Sequence, residues 1–292
     1  MLKHIALLSV FLLSLKVSVA QTSSIDDSLN INGIIRKFTF VTPPQSNKPL
    51  SLVFILHGSG GNGNQMLARV PSIAKASASE HFIAVFPFGY KGFWNECRKS
   101  SPAEANKIDI DEQAFFQTMI NYFVERYHAD SKQVFVIGTS GGGHMAYKLA
   151  MTMPDRFKAV SAIIANLPDT SNFDCTALNK PMNIMITNGT LDKTNPYDGG
   201  EVILNSGNFG RVMSTDRTVQ YWSTLAGYSG NAKKEQLPDN DPNDGKTIEQ
   251  YSYTGKKKEV VLLKVIGGKH DYPNDIDVHL YSWEFFKHIL KK

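Results

Sequence analysis

Three residues in this chain have the types and the spacing to transfer an acyl group. Ser140 stands at the apex of Gly138-Thr139-Ser140-Gly141-Gly142, after the apolar run Val134-Phe135-Val136-Ile137 and before His144-Met145-Ala146-Tyr147-Lys148-Leu149-Ala150. Strand, tight glycine turn and helix read as a nucleophile elbow, which strains the serine backbone and exposes its Oγ. A serine hydroxyl is a poor nucleophile at neutral pH and needs a base, itself oriented by an acid. Both are expected later in the chain, each in a loop after a strand. Met182-Asn183-Ile184-Met185-Ile186 is followed by Asn188-Gly189-Thr190-Leu191-Asp192, which makes Asp192 the acid. Val260 to Val265 is followed by Gly267-Gly268-Lys269-His270, which makes His270 the base. Asp169, Asp174 and Asp198 compete for the first role, and a loop Asp is usually a turn residue. His279 and His288 in the terminal helix, and His81 and His128 beside core elements, read as structural.

An oxyanion formed at Ser140 would need backbone donors. The N–H of Gly141 is one. The glycine-rich turn Leu56-His57-Gly58-Ser59-Gly60-Gly61 is the expected source of the second, assigned to the N–H of Ser59. His57, directly before the glycines, reads as structural. Trp94 (with Phe93) and Tyr272 are candidates for an aromatic wall that binds substrate. Asp239-Asn240-Asp241-Pro242-Asn243-Asp244-Gly245 has the oxygen-rich look of a calcium loop, but it lacks a closing Glu and reads as a solvated turn. No metal site and no cofactor are expected.

The elements that must position these groups alternate along the chain. Strands are expected at 34–41, 50–56, 81–86, 157–164, 182–186, 247–253 and 259–265, besides the elbow strand. Helices are expected at 66–79, 109–127, after the elbow, at 215–225 and at 276–290. Residues 87–107 read as a long irregular loop. Alternation of this kind predicts an α/β fold: a mainly parallel central sheet with helices on both faces and no large cap domain.

Residues 1–20 read as a cleaved signal peptide. Lys3 supplies the positive end, Ile5 to Leu15 the apolar stretch, and Ser18-Val19-Ala20 the cleavage site. The apolar stretch is short for a membrane span, so no stable membrane anchor is expected. The protein is predicted to be secreted or periplasmic, with residues 21–292 forming one catalytic domain. Losing residues 1–20 removes Lys3 and Lys16 and no acid, which lowers the formal charge from +4 to +2. That near balance gives no electrostatic case for nucleic acid. With 42% hydrophobic residues the chain can bury a full core. Two cysteines in an exported protein, Cys97 and Cys175, suggest a disulfide, with two buried thiols as the alternative.

With these blocks in order, the chain resembles the polyhydroxybutyrate depolymerase and feruloyl esterase group of α/β-hydrolases, which overlaps the secreted feruloyl and acetylxylan esterases. The shared residues start at Leu52-Val53-Phe54-Ile55-Leu56-His57-Gly58. They run through Phe93-Trp94-Asn95, Asp111-Glu112-Gln113-Ala114-Phe115, the elbow and Pro154-Asp155-Arg156-Phe157. They end with Asn188-Gly189-Thr190-Leu191-Asp192, Pro196-Tyr197-Asp198-Gly199-Gly200 and Gly267-Gly268-Lys269-His270. The resemblance implies Ser140, Asp192 and His270 as nucleophile, acid and base, and Cys97 and Cys175 match cysteine positions of some members. Three departures stand near the site. Asn188 replaces the family's His, Lys269 a Gly, and Tyr272 a Trp. The expectation is a serine esterase acting on feruloyl or acetyl esters of plant cell-wall polysaccharide or oligosaccharide. A polyhydroxyalkanoate depolymerase is the alternative, and a serine peptidase or a non-catalytic binding module stands further off.

Overall fold

The computed structural model describes residues 24–44 and 48–292; the signal peptide expected at 1–20 lies outside the described residues. In chain order the strands are β1 (Ile25–Ile31), β2 (Ile34–Val41), β3 (Leu50–Leu56), β4 (Phe82–Pro87), β5 (Ala129–Thr139), β6 (Ala159–Ile163), β7 (Asn183–Gly189), β8 (Gly200–Leu204), β9 (Gly207–Val212), β10 (Lys233–Gln236), β11 (Thr247–Tyr253) and β12 (Val260–Ile266). The α-helices are α1 (Gly63–Arg69), α2 (Pro71–Ser79), α3 (Glu104–Lys107), α4 (Glu112–Tyr127), α5 (Gly141–Thr152), α6 (Thr215–Leu225) and α7 (Val278–Leu290). Ten strands form one sheet in the order β1-β2-β4-β3-β5-β6-β7-β12-β11-β10. The middle, from β4 to β12, is parallel, and the pairs at both margins are antiparallel.

The central strands read as unbroken apolar runs because both of their faces are covered. Side chains alternate between two layers. Leu52, Phe54, Val134 and Val136 meet α4, α5 and α6, through residues such as Phe116, Met145 and Trp222. Val53, Ile55, Phe135 and Ile137 meet α1, α2 and α7. The ring of Phe286 in α7 stacks on Phe135 at 4.7 Å. This is the expected α/β architecture.

Four details differ from the sequence expectation. The helix expected over 66–79 is two helices, because Pro71 disfavours the α conformation at Val70, which sits at φ −126°, ψ 58°. β1 is half-exposed and polar in sequence, so its periodicity is weak. Its pairing with β2 follows from Asn32-Gly33, both at positive φ in a two-residue hairpin turn. β10 is a short exposed edge strand, Lys-Lys-Glu-Gln, of the kind that blunts a sheet margin. Finally, β8 and β9 form a separate hairpin, which packs Val202, Phe209 and Val212 against Ala103 and Phe93 of the long loop.

Candidate active site

Parallel strands end on the same side of the sheet, so the loops after β3, β5, β7 and β12 converge there. The turn between β5 and α5 puts Ser140 at φ 54°, ψ −117°, a region that non-glycine residues avoid. Its N–H donates to Ile163 O (2.9 Å), and its C=O accepts the N–H of His144 (3.0 Å). The turn closes so tightly on β3 that a Cβ on Gly142 would stand 2.5 Å from Leu56 O and 2.7 Å from His57 O. The strained serine is thus held by surrounding backbone rather than by its own preference.

The loops after β7 and β12 bring the other two predicted residues to it. Ser140 Oγ lies 2.9 Å from His270 Nε2. His270 Nδ1 lies 2.7 Å from Asp192 Oδ2. A carboxylate only accepts, so Nδ1 carries the proton and Nε2 is free to accept from the serine hydroxyl. The Asp192 side chain is 1% exposed. Its Oδ1 accepts the N–H groups of Thr194 and Asn195, both at 2.8 Å. These donors were not singled out in the sequence, although Asp192-Lys193-Thr194-Asn195 is a pattern in which Asp caps its own turn. Leu191 N–H donates to Gly268 O (2.8 Å), which ties the acid loop to the base loop.

Ser59 lies beside Gly141. A Cβ built on Gly141 would meet Ser59 N at 2.9 Å. In the same turn Gly60 N–H is bonded to Gly92 O and Gly61 N–H to Gly58 O. Of the turn's backbone nitrogens, that of Ser59 stands beside Gly141 of the elbow. His57 shapes the turn. Its Nε2 accepts Gly89 N–H (2.9 Å), so Nδ1 must carry the proton that it gives to Gly58 O (2.7 Å). Burial pushes its pKa down to about 4, so the ring is neutral, with both nitrogens engaged by backbone.

A profile of the putative esterase family matches residues 32–199, more than half of the chain. The chain belongs to the esterase family. Feruloyl esterase B of Neurospora crassa is 32% identical over 130 residues, 44% of this chain and 43% of that protein. The chain therefore spans less than half the length of that relative. The probable feruloyl esterase C of Aspergillus niger is 26% identical over 268 residues, 88% of this chain and 84% of the relative. Among solved structures, the acetyl xylan esterase from Aspergillus awamori superimposes with a TM-score of 0.60 at 16% identity. That match covers 90% of this chain and 99% of the other, a likeness of fold.

Other predicted positions of this member of the esterase family fall as follows. Trp94 is 2% exposed. Its indole N–H donates to His57 O (2.9 Å) and its ring packs against His57 at 4.8 Å. It lies under the Ser59 turn as a support and offers no exposed wall, which corrects the expectation. Its partner Phe93 stacks on Phe209 of the β8–β9 hairpin at 6.2 Å. The hydroxyl of Tyr272 donates to Thr139 Oγ1 (3.0 Å), next to Ser140, and the Arg69 guanidinium covers its ring. Asn188, where the family usually has His, is fully engaged: its amide donates to Ala165 O, Asn166 Oδ1 and Thr215 Oγ1 and accepts Ala165 N–H. Lys269 is exposed.

Cys97 and Cys175 form a disulfide. It fixes the loop that carries Trp94. Two buried ion pairs were missed by sequence reading: Arg98–Glu96 (2.8 Å) within the same loop, and Arg36–Glu112 (2.9 Å) between β2 and the start of α4. Burial pushes both glutamates above the usual carboxylate range, against the pull of their arginines. Asn95 N–H also donates to Glu112 Oε1 (3.2 Å), so the start of α4 anchors the loop that supports the Ser59 turn.

Proposed function

We propose that this chain is an exported carboxylic ester hydrolase, with residues 21–292 as one catalytic domain. The observation that carries the reading is the hydrogen-bonded row from Ser140 Oγ through His270 to Asp192, set on a strained elbow. His270 Nε2 takes the hydroxyl proton as Oγ attacks the ester carbonyl. Asp192 holds the imidazole in the competent tautomer and balances the charge that forms on it. The N–H groups of Gly141 and Ser59 receive the oxyanion. His270 then protonates the leaving alcohol, and water, activated in the same way, releases the acid. No step calls for a cofactor.

The proposed substrates are feruloyl or acetyl esters of plant xylan, a reading supported by the similarity to feruloyl esterases and by the acetyl xylan esterase fold. The disulfide suits an exported protein. Release of ferulate from methyl ferulate, with Ser140→Ala as the blank, tests both parts. Fast release that depends on Ser140 supports the whole reading. Cleavage of 4-nitrophenyl acetate alone keeps the mechanism and moves the acyl group to acetate or hydroxyalkanoate. Residual turnover in Ser140→Ala close to wild type would sink the nucleophile.

A further inference from the structure

Among the described residues, two hydrogen bonds join the elbow to the segment that carries the base. One is the contact between Ser140 Oγ and His270 Nε2. The other runs from the Tyr272 hydroxyl to Thr139 Oγ1 (3.0 Å). Tyr272 stands two residues after His270, and Thr139 one residue before Ser140. The second bond therefore ties the same two segments as the first.

Tyr272 is held on several sides. The Arg69 guanidinium lies over its ring, 5.1 Å from the centroid. The buried ring of His279 meets it edge-on at 5.1 Å. Thr139 is buried, and its Oγ1 stands 3.4 Å from His279 Nε2. Burial pushes the His279 pKa down to about 4, so the ring is neutral and Nε2 can accept a proton. The hydroxyls then run one way: Tyr272 donates to Thr139, and Thr139 to His279 in the first turn of α7. Cutting such a row leaves a buried polar group unpaired, so its members hold one another in place.

The two ties differ in when they exist. In acylation Oγ bonds to the acyl carbon, the ester C–O bond breaks, and the alcohol leaves with the proton that His270 took from Oγ. The acylated Oγ has no proton to donate, so the bond from Ser140 to His270 is gone. His270 must still stay in place. It takes a proton from the attacking water, the bond between Oγ and the acyl carbon breaks, and that proton returns to Oγ. The bond from Tyr272 to Thr139 takes part in none of these steps and persists through them.

We propose, resting on the esterase reading above, that Tyr272 is a positioning residue whose bond to Thr139 keeps the base loop in register with the elbow while Ser140 is acylated. Its task is to hold His270 for deacylation, in place of the substrate wall expected from sequence.

The test is stopped-flow hydrolysis of 4-nitrophenyl acetate by the full chain. Tyr272→Phe lowers steady-state kcat about tenfold by slowing deacylation, and a burst of 4-nitrophenolate close to the enzyme concentration precedes it. Acylation within the burst keeps most of the wild-type rate. Thr139→Val gives the same pattern, and the double variant loses no more than either single one, because all three cut one bond. Thr139→Ser restores most of the kcat lost in Thr139→Val. Either single variant carries the test if the other does not fold. A Tyr272→Phe protein with wild-type kcat and a lower Tm would make the hydroxyl merely structural and overturn the proposal. Losses that multiply in the double variant would overturn it too, as would a loss confined to KM for methyl ferulate, which returns Tyr272 to the substrate wall. A wild type that turns over neither ester would overturn the esterase reading, and this proposal with it.

Discussion

The turns after β3 and after β12 are built alike and do opposite things. Each follows a buried strand, each is rich in glycine, and each carries a histidine, His57 in one and His270 in the other. Both nitrogens of His57 are occupied by backbone, which fixes a neutral ring and a turn that presents Ser59 N–H. His270 has one nitrogen on a carboxylate and the other on a hydroxyl. Backbone partners make a histidine a structural strut. A carboxylate on one side and a movable proton on the other suit it to the role of base proposed for His270. The difference lies in the partners and in nothing intrinsic to the residue.

Four substitutions would break or sharpen this contrast, from the largest effect to the smallest. His270→Ala should lower kcat for 4-nitrophenyl acetate by on the order of 10⁴–10⁶-fold, with little change in Tm, since the ring is partly exposed. If a His57→Ala protein that still folds lost as much, the roles given to the two histidines would be wrong. Asp192→Asn should cost about 10⁴-fold in kcat, because the amide favours the wrong tautomer of His270; a loss confined to KM would count against it. Gly141→Ala would push its methyl to within 2.9 Å of Ser59 N and part the two donors. It should lower kcat by roughly 10²–10³-fold.

The smallest effect belongs to His57 and appears in stability. Its folded pKa, about 4, is below the ordinary 6.5, so the unfolded chain binds the extra proton between those values. The neutral ring therefore contributes fully above pH 6.5, and its contribution, on the order of 3 kcal/mol, is lost as pH falls towards 4. Burial displaces His144 and His279 in the same direction. His57→Gln keeps a donor and an acceptor and should flatten the pH dependence of the unfolding free energy in that window. An unchanged slope would show that His57 is not held neutral.

Much of this site was legible because its parts are local. The elbow is five consecutive residues, and the acid and base each follow a strand that its apolar run already marks. The row of hydrogen bonds was inferred from order alone, and the structure brings those three side chains together. The role of Trp94 was not legible: an aromatic beside a glycine turn has the same sequence signature whether it faces substrate or lies under the turn. Burial separates the two cases, and burial depends on what the disulfide, Glu112 and the β8–β9 hairpin do with residues 93–103. The buried pairs Arg36–Glu112 and Arg98–Glu96 were hidden for a similar reason. Charged residues in sequence read as surface unless their partners are known.

By itself, the sequence determined the α/β class, the central strands, the elbow and the candidate acid and base. These follow from apolar periodicity and from glycine positions, which act over a few residues. Tertiary structure alone decided which histidine has both nitrogens on backbone, which residue of the Gly58–Gly61 turn lies beside Gly141, and that Asp275 joins the turn at 239–245. Each depends on partners far apart in the chain, such as Gly89 for His57 and Asn240 for Asp275, and only the packed loops at the sheet's end bring those partners within hydrogen-bond distance.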